Sequence, residues 1–360
     1  MIEETGMRTR QDRLLATLSE KGLDGVVVQD KRNVYYLTGF SGTSGMVYIS
    51  PDNRLFLTDA RYTSMAKEVV SGFTIVETRE PLAVVASMMT QKGLRIGFED
   101  TIRYQAYQAM AAHLVGHDLV AMSQEIESLR MIKDATEIAL IETACQIGDK
   151  AFLDLLDWIK PGVTEADVAQ FLDFRMRQYG ASGVSFDPIV ASGYRSSMPH
   201  GRATDKVIAE GDAVTLDFGC YYKAYASDMT RTIYMGTPSD EEALIYQSVL
   251  AANEALIVAA RSGLSCQEVD SIPRGVIEQA GYGPYFSHGI GHGLGLDVHE
   301  TPYFGSGKEG SIAANMVITD EPGIYLPDTY GVRIEDVLVI EDEGCRVLTH
   351  APKELIVING

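Results

Sequence analysis

Short apolar runs alternate with amphipathic stretches along the first third of the chain. The spacing of apolar positions predicts helices near residues 12–21 and 60–70. Between and beyond them lie apolar runs with the length and composition of strands, at residues 25–28, 46–49, 55–57, 73–76 and 95–98. This alternation predicts an α/β domain that folds on its own.

A longer helical pattern opens at residues 129–134 and marks a change of organisation. It continues with apolar and small residues on one helix face: Ile138, Ile141, Ala144, Cys145 and Gly148. We place a domain boundary here, which gives an N-terminal domain of residues 1–129 and a C-terminal domain of residues 130–360. Two domains also fit the length, because 360 residues exceed the usual size of one hydrophobic core.

The C-terminal part contains two similar helix starts. Residues 161–168 and 262–269 each place a hydroxyl residue, Thr164 or Ser265, three positions before an acid. This is the capping-box pattern of a helix N-terminus. Each predicted helix is followed by a glycine and then by a histidine-bearing segment, with His200 in the first copy and His288 in the second. If the two segments mark similar α+β halves that face each other, a site would lie between the halves. The alternative is that the similarity of two such short segments is a coincidence.

Composition and charge narrow the class of protein. A net charge of −20 without any Lys/Arg cluster argues against a nucleic-acid partner. The segment 1–8 mixes charges and is not typical of a signal peptide. No apolar run approaches the length of about 18 residues that a membrane span needs, and the four cysteines form no CxxC pair. We expect a cytoplasmic protein with reduced thiols and no membrane partner.

Histidines and acids of the C-terminal part form a candidate metal site. Histidines occur at positions 288, 292 and 299 of a glycine-rich segment, and acids lie in or beside apolar runs upstream and downstream. A hairpin between residues 219 and 226 would bring the two upstream acids side by side. Imidazole and carboxylate together suit divalent transition metals. The candidate ligands are Asp217, Asp228, His292, Glu321 and Glu335.

Four carboxylates with one imidazole suit two metal ions better than one. Carboxylates bridge ions held about 3.5–4 Å apart, whereas a single catalytic zinc usually has three protein ligands. The oxygen-rich set favours Mn, with Co, Zn or Fe also suitable. A hydroxide bridging the two ions would be a nucleophile at neutral pH. For Asp217 alone, the role of an ordinary acid at a strand end is an equal alternative.

Other catalytic and nucleotide-binding motifs are not found in the sequence: it contains no P-loop, dinucleotide fingerprint, H-E-x-x-H or nucleophile elbow.

The local context of these residues resembles metallopeptidases of the creatinase and methionine aminopeptidase type, which have the pita-bread fold. The matching motifs are Asp217-Phe-Gly, Ser227-Asp228-x-Thr-Arg-Thr, His288-x-x-x-His292 with His299, Thr319-x-Glu321-Pro-Gly and Arg333-x-Glu335-Asp. Segments 36–42 and 57–62 are similar to the smaller creatinase-type domain of this group. The resemblance implies an α+β protein with a C-terminal pita-bread domain and a smaller N-terminal α/β domain. It is strongest with the Xaa-Pro branch, which comprises Xaa-Pro dipeptidase (prolidase) and Xaa-Pro aminopeptidase (aminopeptidase P).

The resemblance also implies a role for each ligand. Asp217 would bind one metal through both oxygens, while Asp228 and Glu335 would bridge the two ions. His292 and Glu321 would complete the second metal's environment, and Glu321 would take the proton of the attacking water as general base.

The remaining polar residues would serve the substrate. His200 and His299 would contact the scissile carbonyl or the tetrahedral intermediate, His288 would line the proline side, and Arg333 would orient the carboxylates. The substrates implied are small peptides with proline at the second position, and family members are commonly homodimers.

We therefore expect a dinuclear exopeptidase that hydrolyses Xaa-Pro bonds with a metal-bridging hydroxide. The sequence leaves open whether the pocket admits only dipeptides; segment 58–62 slightly favours the aminopeptidase P type. The alternatives are a creatinase-like hydrolase of another C–N bond, which needs no metal, and a non-catalytic binding protein. Three residues depart from the family pattern, Ala224 and Asn315 in place of glycine and Asp320 in place of an apolar residue; for Asp320 we expect altered stability rather than lost metal.

Overall fold

The computed structural model of the protein describes residues 4–359. Residues 1–3, which open the N-terminal segment considered above, and Gly360 lie outside the described residues. The chain forms two compact units, Met1–Arg130 and Met131–Gly360. The sequence predicted this boundary one residue earlier, between residues 129 and 130. That the two parts are independently folding domains stays a prediction.

The first unit is a six-stranded mixed sheet with helices. Its helices are α1 (Glu4–Glu20), α2 (Lys31–Thr38), α3 (Thr63–Val69), α4 (Pro81–Met88), α5 (Tyr104–His113) and α6 (Glu125–Met131). Its strands are β1 (Gly25–Val28), β2 (Met46–Ile49), β3 (Arg54–Thr58), β4 (Thr74–Glu77), β5 (Arg95–Glu99) and β6 (Asp118–Met122). They lie in the order β4-β3-β2-β1-β5-β6, with β2 antiparallel to both β1 and β3.

Sequence patterning located the strands of this unit better than its short helices. The predicted run at 25–28 is a strand because its four residues are buried on both faces of the sheet. Helix α2, which the apolar spacing did not indicate, begins where the Asp30 side chain accepts hydrogen bonds from the backbone N–H groups of Arg32 and Asn33. A cap of this kind starts a helix too short to show a clear period.

The second unit contains four long helices and fourteen short strands in its described part. The helices are α7 (Ala135–Trp158), α8 (Glu165–Gln178), α9 (Asp240–Ala259) and α10 (Cys266–Gln279). The strands are β7 (Gly183–Val184), β8 (Ile189–Ser192), β9 (Ala213–Phe218), β10 (Cys220–Tyr222), β11 (Tyr225–Ala226), β12 (Met229–Met235), β13 (His292–Gly293), β14 (Glu300–Tyr303), β15 (Val317–Asp320), β16 (Gly323–Leu326), β17 (Tyr330–Arg333), β18 (Asp336–Ile340), β19 (Cys345–Val347) and β20 (Ile356–Ile358). One-turn 3₁₀ helices span Gly193–Ser197 and Gly283–Tyr285.

These elements form two similar halves. In the first half, α7 and α8 pack with the sheet β20-β12-β9-β8 around one apolar core. In the second half, α9 and α10 pack with β14-β13-β15-β18-β19 around another core. The capping boxes predicted at Thr164 and Ser265 are both present and begin α8 and α10. The sequence echo therefore marks the corresponding helix of each half.

The long helix of the first half begins later than its pattern suggested. Helix α6 ends at Met131, and α7 starts at Ala135 with Asp134 as its cap. The Asp134 side chain accepts from the Glu137 N–H, while the Glu137 carboxylate accepts from the Asp134 N–H. The segment 129–134 is thus a helix end followed by a cap, because a reciprocal capping box fixes where the second helix begins.

One helix among residues 4–359, α9, is long and apolar enough to cross a membrane by length and composition alone. The helix also contains Glu254, so it has no uninterrupted apolar run of about 18 residues, and the prediction that the chain lacks such a run is not contradicted. The acids of α9 are concentrated in its first turn, at residues 240–242, which leaves an apolar window behind them. Its buried residues, which include Ile245, Val249 and Leu256, pack into the core of the second half.

The three departures from the family pattern have distinct structural settings. Ala224 and Asn315 have φ angles of 71° and 66°, in the left-handed region where glycine is favoured and asparagine is tolerated. Asp320 is fully buried, and the Asn253 amide of α9 donates to its carboxylate at 3.2 Å. Burial, with Asp336 nearby, raises the pKa of Asp320 well above its usual range.

Gly219, at the start of the hairpin β10–β11, offers a test of this local packing. A Cβ at Gly219 would lie 1.9 Å from the Ser227 carbonyl oxygen and 2.5 Å from Ser185 Oγ. We expect Gly219→Ala to lower the free energy of unfolding by about 1–3 kcal/mol because the backbone must shift. Denaturant titration measures this. Gly344→Ala is the control, since nothing lies within 4 Å of the added Cβ there; equal effects of the two substitutions would contradict the packing argument.

Candidate metal centre

Two acids of the first half lie at one end of a strand pair. Strands β9 and β12 are antiparallel, with Asp217 opposite Thr230. Asp228 directly precedes β12, so the hairpin returns it to the end of the sheet that carries Asp217. The predicted pairing of the two acids by a hairpin is present, with β10 and β11 forming the turn.

The second half contributes three further candidates at the ends of its own strands. His292 lies in β13, Glu321 directly follows β15, and Glu335 directly precedes β18. Strands β15 and β18 are antiparallel with Asp320 opposite Asp336, which places Glu321 and Glu335 at the same end of their sheet. The halves meet at Thr230, whose carbonyl accepts from the Glu335 N–H at 3.0 Å and whose hydroxyl donates to Glu335 Oε2 at 2.7 Å.

All these side chains line a single cavity of about 520 Å³. The structure brings together every candidate site residue of the sequence analysis: the acids Asp217, Asp228, Glu321 and Glu335, the histidines His200, His288, His292 and His299, and Arg333. Apolar groups, including Phe186, Ile189, Pro199 and Phe304, complete the wall.

The arrangement of polar atoms fits divalent cations. Asp217 Oδ1, Asp228 Oδ1 and Glu335 Oε1 are buried carboxylate oxygens without a hydrogen-bond donor. The ligand atoms of Asp228, His292 and Glu335 lie within 4.8 Å of one another. Buried anionic oxygens need donors or cations. A cation bound among these oxygens would supply the positive charge that the neighbouring side chains do not provide.

The imidazole of His292 is oriented for coordination. Its Nδ1 lies 3.0 Å from the Gly293 carbonyl, to which it donates. The lone pair of Nε2 therefore faces Glu321 Oε1 at 3.5 Å and Asp228 Oδ2 at 3.8 Å. Burial lowers the pKa of His292 to about 4. A neutral imidazole held by a backbone carbonyl is the usual state of a histidine ligand.

The four carboxyl groups destabilise one another's charge in the absence of a cation. Burial raises the pKa of Glu321 to about 8, although Arg333 opposes this shift. Burial and the neighbouring acids raise the pKa values of Asp228 and Glu335 well above their usual range. The pKa of Asp217 is also raised by burial, against the opposing effect of Arg333.

Arg333 is the only guanidinium among the described residues of the cavity that hydrogen-bonds a candidate ligand. It donates from Nη2 to Asp217 Oδ2 at 2.7 Å and from Nη1 to the Tyr325 hydroxyl at 2.8 Å. Tyr325 in turn donates to His288 Nε2 at 2.8 Å, since His288 Nδ1 donates to the Gly289 carbonyl. Burial lowers the pKa of His288 to about 4, consistent with a neutral ring whose two nitrogens are both engaged.

His200 and His299 have freer surroundings than His288. The ring of His299 packs edge-on against His292 with centroids 4.4 Å apart, and burial lowers the pKa of His299. His200 lines the cavity beside Pro199. These two imidazoles are therefore available to a bound molecule, while His288 forms a fixed wall.

Sequence reasoning missed three polar residues that support the site. Thr230 binds Glu335, and the Thr319 hydroxyl accepts from the His292 N–H at 3.0 Å and donates to Glu321 at 3.2 Å. Tyr325 links Arg333 to His288. A hydroxyl residue two positions before Glu321 was a usable signal, because alternate residues of a strand share a face. Nothing in the sequence pattern distinguishes Tyr325 from a core aromatic.

Comparison with known proteins identifies the family of this chain. Residues 139–342 match the model of metallopeptidase family M24, and residues 10–132 match the Creatinase/Prolidase N-terminal domain. The chain belongs to metallopeptidase family M24. This membership confirms the predicted fold class, an α+β pita-bread domain preceded by a smaller α/β domain of the creatinase type. It also confirms the predicted enzyme class, a metallo-exopeptidase.

Similar M24 proteins include both types of Xaa-Pro peptidase. The chain is 38% identical over 355 residues to the Xaa-Pro dipeptidase of Pyrococcus furiosus, covering 97% of this chain and 100% of the relative. Its fold matches the Xaa-Pro dipeptidase from Bacillus anthracis with a TM-score of 0.94 and 42% identity, covering 98% and 99% of the two chains. It matches the X-Pro aminopeptidase from Thermotoga maritima with a TM-score of 0.87 and 36% identity, covering 97% and 99%.

The raised carboxyl pKa values predict how the stability of the metal-free M24 peptidase depends on pH. The folded chain keeps a proton on Glu321 up to about pH 8, whereas the ordinary pKa is 4.5. Because the folded state binds more protons than the unfolded state in this window, its stability falls as the pH rises from about 4.5 to 8. Thermal unfolding of metal-free protein at several pH values measures the fall. Glu321→Gln should reduce it, and a pH dependence identical in the variant would contradict the assignment.

Removing one buried oxygen ligand should weaken metal binding by the M24 peptidase. We expect Asp228→Asn to reduce Mn²⁺ affinity at least about tenfold, because ligands that are deprotonated on binding contribute charge that an amide lacks. Isothermal titration calorimetry measures the affinity and the number of ions. Asp187→Asn is the matched control, since Asp187 lines the same cavity but its side chain is 71% exposed. Unchanged binding by Asp228→Asn would rule out this cluster as the metal centre.

Proposed function

We propose that this M24 peptidase hydrolyses Xaa-Pro dipeptides with two divalent cations bound by Asp217, Asp228, His292, Glu321 and Glu335. The observation that carries the proposal is the set of buried carboxylate oxygens without donors around His292, inside a cavity that also holds unengaged imidazoles. When bound, the cations supply Lewis acidity and lower the pKa of water toward neutrality. Mn is the proposed metal because the ligand set is rich in oxygen.

We assign the remaining catalytic roles to side chains of the protein. Glu321, which is hydrogen-bonded by Thr319, accepts a proton from the attacking water as general base. His200 and His299 bind the oxygen of the scissile carbonyl, where negative charge develops. Arg333 opposes the rise that burial causes in the pKa of Asp217, and it orients the Asp217 carboxylate through their 2.7 Å contact.

Proline at the second position suits both the chemistry and the wall of this cavity. An Xaa-Pro bond has no N–H, so a peptidase that relies on that donor loses a contact. Divalent cations held by the carboxylates and His292 would supply Lewis acidity that does not depend on this donor. The apolar groups Phe186, Ile189, Pro199 and Phe304, with the fixed ring of His288, provide surface for a pyrrolidine ring.

Dipeptides are preferred over longer peptides because cationic side chains lie on the cavity wall. Lys308 and Arg202 both line it, and the Lys308 ammonium lies 6.0 Å from the centre of the Tyr303 ring. A free proline carboxylate would find a partner there, whereas a longer chain would place a neutral amide at the same position. The dipeptidase relatives support this choice over the aminopeptidase P type that segment 58–62 favoured. The homodimer and the cytoplasmic location stay predictions.

The substrate class is tested by incubating Mn-loaded protein with Ala-Pro and Ala-Pro-Ala and quantifying free alanine. We expect release from Ala-Pro only, and no release by Asp228→Asn. Release from the tripeptide would instead assign an aminopeptidase P. Turnover by metal-free protein would favour a creatinase-like hydrolase, and no release from either peptide would favour a binding protein on this scaffold.

Carboxylate recognition predicts a specific defect for Lys308→Gln. A hydrogen bond to a charged group contributes roughly 1.5–3 kcal/mol, so the KM for Ala-Pro should rise by about tenfold or more with little change in kcat. Steady-state kinetics measures both constants. Lys160→Gln, at an exposed position that does not line the cavity, should leave KM unchanged. A loss confined to kcat would contradict a role in carboxylate binding.

A further inference from the structure

His200 lies outside the helices and strands. It lies in the connection between β8 and β9, in a segment that we call the His200 loop, residues 193–203. The loop opens with the 3₁₀ turn Gly193–Ser197 and closes before Thr204. From the cavity side, Arg333 Nη1 donates to the Pro199 carbonyl at 3.2 Å. Further contacts of the loop come from outside the cavity.

A buried acid binds both ends of the His200 loop. Glu165, in the first turn of α8, is 0% exposed. Its Oε1 accepts from the N–H and hydroxyl of Ser192, both at 2.9 Å. Its Oε2 accepts from the N–H of Thr204 at 3.1 Å and the hydroxyl of Thr204 at 2.7 Å. One carboxylate thus joins the residue before the loop to the residue after it.

The same acid also reaches the interior of the loop through Arg195. The Arg195 Nε donates to Glu165 Oε2 at 3.0 Å, and Arg195 Nη2 donates to the Arg202 carbonyl at 2.6 Å. The Arg202 N–H then donates to the His200 carbonyl at 2.9 Å. A continuous series of hydrogen bonds therefore runs from Glu165 to the backbone of His200.

The helix itself does not need Glu165. Helix α8 is capped by the reciprocal hydrogen bonds of Thr164 and Asp167. In the second half, the corresponding first residue of α10 is Cys266, and its capping box is equally complete. Binding of the His200 loop therefore explains why the first half has a buried carboxylate at this position.

The second half fixes its own histidine segment in a comparable way. On α10, Asp270 accepts from the Ile290 N–H at 3.0 Å. Arg274, paired with Asp270, donates to the carbonyls of Phe286 and His288 at 3.0 and 2.7 Å. Each half therefore uses a paired acid and arginine, with the acid on its second helix, to attach the segment that carries a cavity histidine.

We propose that Glu165 is a positioning residue that holds the His200 loop, and through it the His200 imidazole, against the cavity. Glu165→Gln keeps the size of the side chain but replaces one accepting oxygen with a donor and removes the charge that Arg195 binds. Either the donors of Ser192 or those of Arg195 and Thr204 then face an NH2 group in place of an accepting oxygen. The expected effect on catalysis rests on the proposed function, whereas the expected effect on loop order does not.

A double-mutant cycle on the Mn-loaded protein tests the catalytic part. We expect Glu165→Gln to lower kcat for Ala-Pro roughly tenfold to a hundredfold, since small displacements of a reacting group have effects of this size. In the His200→Ala background the same substitution should change kcat by less than about twofold, because the positioned group is gone. Mn²⁺ affinity should be unchanged in both. Equal losses in the two backgrounds would overturn the proposal.

The matched control is Asp167→Asn, which removes an acid two residues away in the same helical turn. Asp167 caps α8, and in the described part of the chain its carboxylate hydrogen-bonds Thr164 and no residue of the loop. It should leave kcat within about twofold of the wild type. A loss equal to that of Glu165→Gln would attribute the effect to the helix start and overturn the proposal.

Trypsin cleavage after Arg202 tests loop order without any substrate. The Arg202 side chain is 77% exposed, and cleavage needs local opening of the chain. Mass spectrometry of full-length protein should show faster cleavage at Arg202 in Glu165→Gln and wild-type rates in Asp167→Asn.

Arg195→Lys is a second loop variant, which replaces Glu165→Gln in this test if that variant does not fold. A lysine cannot contact Glu165 and the Arg202 carbonyl together, so cleavage should also be faster in Arg195→Lys. Unchanged cleavage in these loop variants would overturn the proposal, whereas an inactive wild type with faster cleavage in the variants would reject only the proposed function.

Discussion

Burial of four acidic side chains in one cavity is the constraint on which the rest of the second unit depends. Asp217, Asp228, Glu321 and Glu335 share one cavity, and three of their oxygens have no donor. Such a cluster is unfavourable without positive charge nearby. The protein places a single guanidinium, Arg333, against one of the acids and leaves the others facing His292. The fold therefore holds in place an arrangement that its own electrostatics oppose.

The backbone around these acids is fixed by a second cluster, in which two cationic side chains bind one buried carboxylate. Arg231 is fully buried, pairs with Asp336 at 2.8 Å and donates to the Glu335 carbonyl at 2.5 Å. Lys353 binds the other Asp336 oxygen at 2.7 Å. These contacts lie on the side of β18 away from the cavity. The carboxylate behind the strand thus has two cationic partners, whereas Asp228 and Glu335 in front of it each keep an oxygen without a donor.

The sequence predicted the acids and imidazoles better than their support. Asp217, Asp228 and Glu335 stand beside apolar runs whose strand character is local, so their placement followed from pattern and hairpin geometry. The short helices of the first unit were missed because their starts depend on single side-chain caps such as Asp30. Thr230, Tyr325 and Glu165 act through partners about 27 to 105 residues away in sequence. Contacts of that range follow from tertiary packing and leave no local period to detect.

The order of the ligands along the chain has a consequence during synthesis. Asp217 and Asp228 leave the ribosome long before His292, Glu321 and Glu335, and strand β20, which pairs with β12 of the first half, comes last. While the segment between Asp228 and His292 is synthesised, a nascent chain therefore carries two of the acids without that imidazole. A cation that needs Asp228, His292 and Glu335 together would therefore bind only after Glu335 has been synthesised, when little of the chain remains to be made.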